Sequence, residues 1–258
     1  MAENQYDFPT EVIDLPSKGM LYPKENPLSS GKVEIKYMTA KEEDILTSRA
    51  LIKNGTVITR LLQSCITDKQ VNVKNMLSGD RNALMVAVRI TGYGSNYNSQ
   101  IECPTCGETQ KQQFHLSELP IKSLKIDPVA EGTNEFSVLL PKTKATVHFK
   151  FLTGADEEEI TMTANRKKKA KLLSDNAITT RLQHAILSIN GRTDRTLISK
   201  FVTNMPAIDS LFLREYIDQH EPGIDMTSEI TCSNVDCGEI SEVSVPLGVS
   251  FFWPNIKK

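Results

Sequence analysis

The chain has 258 residues, 39% hydrophobic and 24% charged, enough for a self-sufficient core and too apolar for wholesale disorder. Thirty Lys and Arg against 32 Asp and Glu leave a net charge of −2, which offers no global attraction for a polyanion and argues against a general nucleic-acid coat protein. The longest unbroken apolar run, Ala83 to Val88, falls far short of the roughly 20 residues that span a bilayer.

The N-terminus, MAENQYDFPTEVID, lacks the basic and apolar blocks of a signal peptide, so the expectation is a soluble protein made in a cytoplasm. Residues 1–32 contain Pro9, Pro16, Pro23 and Pro27 and no periodic apolar array. They read as an extended arm lying over a surface, with prolines that lower the ordering cost of docking. Its removal is expected to leave the fold intact.

Val33, Ile35 and Tyr37 then alternate as in a half-buried strand. Thr39 follows, with Glu42 three positions on, a capping-box signature. Glu42, Glu43 and Asp44 fall in the first helical turn, where negative charge is favoured and normally solvated. A second helix carries the apolar face Ile58, Leu61, Leu62 and Ile66, which makes Cys65 a core thiol. A third covers Asp80 to Val88. Ser99–Glu102 and Thr109–His115 are strand-like and flank the knuckle Cys103-Pro104-Thr105-Cys106-Gly107. Residues 123–144, with Pro128, Gly132 and Pro141, read as a connection.

The same unit then recurs. Val147, Phe149 and Phe151 alternate 114 positions after Val33, Ile35 and Tyr37, and Thr153 with Asp156 repeats the cap in weaker form. Ile160 and the basic run Arg166 to Lys171, read as a solvated helix face, follow. Thr180-Arg181-Leu182 matches Thr59-Arg60-Leu61 at an offset of 121, and Asn190-Gly191 signals a tight turn. Asp209 to Ile217 matches Asp80 to Val88 at 129, an offset kept through Gly94 and Gly223 to Cys103 and Cys232. The expected fold is therefore α+β, with two pseudo-symmetric lobes at residues 33–122 and 145–258. Each lobe reads strand, capped helix, helix, helix, then a β-hairpin bearing two cysteines.

Cys232 and Cys237, with Gly238, make the second knuckle. Two such knuckles supply the four sulfurs of a tetrahedral structural zinc site, ligated by Cys103, Cys106, Cys232 and Cys237. Their separation of 125 residues suits a zinc-ribbon-like site shared by two lobes on a pseudo-dyad, closed and without a catalytic water. A redox Cys-x-x-Cys, ordinary buried thiols, or His115 in place of one ligand are the competing readings. His115, His148, His184 and His220 are scattered, and the chain holds no Gly-rich phosphate loop and no Gly-x-Ser-x-Gly elbow. No catalytic constellation emerges, and the expectation is a protein that is not an enzyme.

Leu15-Pro16-Ser17-Lys18-Gly19-Met20-Leu21-Tyr22-Pro23, then Asn26 to Gly31 and Val33 to Leu46, resemble the baseplate hub-subunit or hub-assembly family of T-even-type tailed bacteriophages. The resemblance is densest over 15–63 and runs more loosely to Phe251-Phe252-Trp253-Pro254. It implies a hub component or assembly factor acting through protein surfaces in the host cytoplasm, with a place in the virion tail. Its partners would be other phage hub or tail proteins, with an oligomer allowed and no nucleic acid. The zinc site comes from spacing and the repeat, not from the resemblance. A zinc-ribbon binder of nucleic acid or transcription machinery is the alternative, marked by salt-sensitive binding. The terminal aromatics, which include the only Trp, read as a core plug or as an exposed anchor for a partner.

Overall fold

The computed structural model describes residues 9–169 and 176–253, with the side chains of 167–169 left aside. The fold mixes α and β. In the first half of the chain, β1 (Thr10–Asp14) pairs antiparallel with β2 (Lys32–Lys36). Helices α1 (Ala40–Thr47), α2 (Arg49–Asn54), α3 (Val57–Cys65) and α4 (Ser78–Tyr93) follow. The hairpin β3 (Asn96–Glu102) and β4 (Thr109–His115) precedes a short β5 (Ile121–Lys122).

The second half opens with β6 (Phe136–Leu139) paired to β7 (Thr146–Phe149), then α5 (Gly154–Lys169) and α6 (Ala177–Ala185). Strand β8 (Ile186–Ile189) pairs with β7 and leads to α7 (Arg195–Thr203) and α8 (Ala207–His220). After β9 (Gly223–Ile224) come the hairpin β10 (Thr227–Thr231) and β11 (Ile240–Ser244) and a 3-10 turn at Val249–Phe252. The basic run Arg166 to Lys171 extends past the described residues, and Pro254 lies outside them.

Residues expected to correspond make similar contacts. Glu42 Oε2 accepts from Thr39 N at 3.0 Å and Oγ1 at 2.6 Å, while Lys36 Nζ reaches its other oxygen at 3.0 Å. At an offset of 114, Asp156 Oδ2 accepts from Thr153 N at 2.9 Å and Oγ1 at 2.7 Å, with Lys150 Nζ at 2.7 Å. The second cap, expected to be weaker, is as complete as the first, because the shorter Asp still reaches both Thr groups. Glu42 is not a solvated charge: it is fully buried and also takes the Ser64 hydroxyl at 2.6 Å. Asn190 and Gly191 have φ of 49° and 78°, as the tight turn requires.

The N-terminal segment departs from the expected arm. Residues 1–8 lie outside the described residues, but from Thr10 onward the chain belongs to the folded body. Leu15, Leu21, Tyr22 and Leu28 are buried in the main core. Tyr22 Oη donates to Asp80 Oδ2 at 2.7 Å and accepts from Leu77 N at 2.9 Å; Ser17 N and Oγ hold the same carboxylate at 2.9 and 2.6 Å. The prolines set the turns that bring isolated apolar residues inward, a pattern without strand or helix periodicity. Leu140-Pro141-Lys142-Thr143 repeats this arrangement 125 positions on. There the backbone N–H groups of Lys142 and Thr143 bind Asp209, 129 positions after Asp80, at 2.7 and 2.9 Å.

One hydrophobic cluster draws residues from both halves, and a small satellite sits around Leu152, Ile160 and Ala185. The halves also exchange their tails. Lys122, in the first half's tail, donates to the carbonyl of Asp218 at 2.7 Å, and β5 pairs with β9. The second half's tail delivers Phe251 to Arg89, the residue 129 positions before Asp218. Phe251 and Phe252 are fully buried and Trp253 is half-buried against the same core, so the terminal aromatics plug the fold rather than stand out as an anchor.

Candidate metal centre

Each knuckle caps a two-stranded ribbon whose inward residues alternate as the pleat demands: Tyr97, Ile101, Gln110 and Phe114 on one, Ile230 and Val245 on the other. In the first knuckle Cys103 N donates to Glu108 O at 2.8 Å and Gly107 N to Cys103 O at 2.9 Å. In the second, Cys232 N donates to Glu239 O at 2.9 Å, and the two extra residues fold into a turn in which Cys237 N and Gly238 N reach Asn234 O at 3.0 and 2.9 Å. Gly107 and Gly238 take φ of 76° and 58°, the left-handed step that closes each loop without a Cβ penalty.

The structure brings all four predicted cysteines together: the sulfurs of Cys103, Cys106, Cys232 and Cys237 lie within 4.8 Å of one another. Cys106 Sγ and Cys232 Sγ, from different hairpins, are 3.6 Å apart. Sulfurs bound to one zinc at roughly 2.3 Å stand about 3.8 Å apart in a tetrahedron, so a thiophilic ion fits this donor set without rearrangement of the loops. Cys103 and Cys232 are buried, Cys237 is half-buried and Cys106 is exposed.

The local electrostatics favour a cation. Backbone N–H groups of Cys106 and Thr105 approach the Cys103 sulfur and bring its pKa down to about 7. The Asn234 N–H acts likewise on Cys232, but burial and the neighbouring thiols outweigh it and push Cys232 up to about 12. Cys237 is also raised: the Glu239 N–H is outweighed by burial and by Cys106 and Cys103. Four thiols this close cannot all ionise unless positive charge joins them.

Gln110 was not signalled by the cysteine pattern. It is buried between the hairpins, donating from Nε2 to Thr231 O at 3.0 Å and accepting from Ser233 N at 2.6 Å. A Gln at an inward-facing position of a strand was the available clue. His115 is not a substitute ligand, since it pairs with Asn96 at the far end of the ribbon from the knuckle. Cys65 lies apart from the cluster, wholly buried at the end of α3, its thiol pushed up to about 12 by burial and by the charge of Glu42.

The family model described as T4 bacteriophage base plate protein matches residues 10–253, nearly the whole chain. Neither a curated protein nor a solved structure matches it. The matched family is one of structural, non-catalytic proteins. The chain therefore belongs to the T4 bacteriophage base plate protein family.

Proposed function

We propose that this baseplate protein is a hub component or hub-assembly factor, and that Cys103, Cys106, Cys232 and Cys237 hold one structural zinc that clasps its two halves. The four-sulfur cluster carries the reading, because two knuckles 125 residues apart converge only if the halves dock. The organisation behind it is a pair of pseudo-symmetric lobes, 33–122 and 145–258, to which β1 and β6 add a strand each. The matched Asp80 and Asp209 turns and the exchanged tails support that duplication.

When bound, zinc would supply cross-linking, with four thiolates filling its coordination and no open position for substrate. The work would fall to the surface. Val235, almost wholly exposed at the tip of the second knuckle, and Ile208 with Leu211 on one face of α8 are apolar groups a partner would cover. Such partners would be other hub or tail proteins, met in the host cytoplasm during assembly and retained in the virion tail.

Elemental mass spectrometry of the purified chain tests the clasp: one zinc per chain is expected, lost in Cys103→Ser and kept in Cys65→Ser. Co-sedimentation with hub and tail subunits of the same phage tests the role. A chain that binds none of them is not a hub protein.

A further inference from the structure

We infer that Cys106 and Cys232 form an oxidation site, which a peroxide converts into a disulfide joining the two hairpins, with release of any metal the cluster holds. The inference rests on the proposed metal centre for what is released, but its carrying observation is geometric. Cys106 is the one exposed cysteine of the four, so an oxidant in solvent meets it first. Its sulfur lies 3.6 Å from that of Cys232, a buried residue 126 positions away on the other hairpin.

Two features favour this pair over a bond within either knuckle. The Cys103 sulfur accepts the N–H groups of Thr105 and Cys106, which restrain its side chain. The Gln110 bonds to Thr231 and Ser233 hold the backbone on either side of Cys232 against β4. The two sulfurs then have about 1.6 Å to close before they reach the roughly 2 Å of an S–S bond.

The chemistry balances with hydrogen peroxide as the two-electron oxidant. The Cys106 thiolate attacks one peroxide oxygen, the O–O bond breaks, and hydroxide leaves a sulfenic acid on Cys106. The Cys232 thiolate attacks that sulfur, the S–O bond breaks, and a second hydroxide departs. Two protons convert the hydroxides to water. Two sulfurs have given up one electron pair between them, and the peroxide has taken it. Cys103 and Cys237 alone cannot close a four-sulfur site; they take up protons and the ion is released.

The test treats the purified full-length Cys65→Ser chain with hydrogen peroxide, then measures metal in the filtrate and maps disulfides by non-reducing peptide mass spectrometry. The expected product is a peptide pair containing Cys106 and Cys232 that accounts for most of the disulfide, formed in step with metal release. Linkage of Cys103 to Cys106 or of Cys232 to Cys237 as the main product overturns the inference, as does a Cys106 sulfinic acid without a disulfide. The same mapping on the untreated Cys65→Ser chain sets the background, and a Cys106–Cys232 bond already complete there would overturn the assignment to peroxide. Chain that carries no metal as purified but still forms the Cys106–Cys232 pair would defeat the zinc reading and leave this inference standing. Metal-loaded chain that gives another pairing would do the reverse.

Discussion

Arg89 Nε donates to the carbonyl of Phe251, 162 residues further along the chain, at 2.9 Å. The same guanidinium reaches Gly94 O at 2.8 Å and Asn96 O at 3.1 Å, and it is buried with no carboxylate among these three partners. One side chain thus ties the end of α4, the start of β3 and the C-terminal tail. Arg89→Met keeps much of the volume but strands three carbonyls, and should cost about 3–5 kcal/mol in urea unfolding. The single Trp, Trp253, stands beside the tail, so its emission should shift to the red in the variant before the rest of the chain unfolds.

Tyr22→Phe tests whether the N-terminal segment is structural. The phenol both donates to Asp80 and accepts from Leu77 N, and neither partner has water to turn to. Loss of that hydroxyl should cost about 2–3 kcal/mol with the core packing otherwise unchanged. Deletion of residues 1–30, which also removes β1 and Ser17, should abolish folding, as read by loss of the cooperative thermal transition. A docking arm would leave both measurements near the parent values.

The contrast between Tyr22 and Cys103 shows what the sequence can carry. Strand alternation, the Thr caps and the cysteine spacings are local or periodic, and so strands β2 and β7, both caps and the knuckles are legible. Tyr22, Asp80 and Arg89 obey no period. Each is a polar or charged residue whose burial is decided by a distant turn, and along the chain it is indistinguishable from a solvated one. Asp80 and Asp209 did stand at matched positions, but what they bind comes from Ser17 and Lys142, outside the stretches first aligned. Glu42 reads as solvated along the chain because helix N-termini usually carry such charge, whereas in the fold it is buried and bonded to Ser64 of α3.

Glu42 also sets an acid limit on stability. Burial works against its charge, but the hydrogen bonds from Ser64, Thr39 and Lys36 prevail and hold its pKa down to about 2 from an ordinary value of 4.5. A depressed carboxyl contributes stability above its unfolded pKa, and loses it as pH falls through the folded one. The contribution should therefore be complete above pH 4.5 and gone near pH 2, about 3 kcal/mol in all. Asp156 is lowered in the same direction, so the second half adds to the slope. In urea titrations Glu42→Gln should be less stable than the parent at pH 7, with the two curves converging towards pH 2. A gap that stays constant with pH would show that the carboxylate is not the stabilising form.

At Gly79 backbone from the second half of the chain packs directly against helix α4. It lies in the first turn of α4, and a Cβ built there would sit 1.7 Å from the carbonyl oxygen of Pro222, just before β9. In an unencumbered helix Gly→Ala stabilises by up to about 1 kcal/mol, since Gly gives up more backbone freedom on folding. Here the obstacle is backbone, which no rotamer change removes. The seam around it is stitched by Ser78 N to Leu152 O at 2.8 Å and Gly154 N to Met76 O at 2.9 Å, so neither side can withdraw alone. Gly79→Ala should therefore destabilise, by about 3 kcal/mol or more in urea unfolding, and disturb amide exchange at Gly154 and Gly223 together. Ile208, 129 positions after Gly79, faces solvent on α8, and Ile208→Ala should move stability by less than about 1 kcal/mol. The opposite response of these two helix starts would show that the backbone of the other half closes on the start of α4 and not on that of α8. Equal tolerance at both positions would mean that Pro222 does not approach Gly79 in solution.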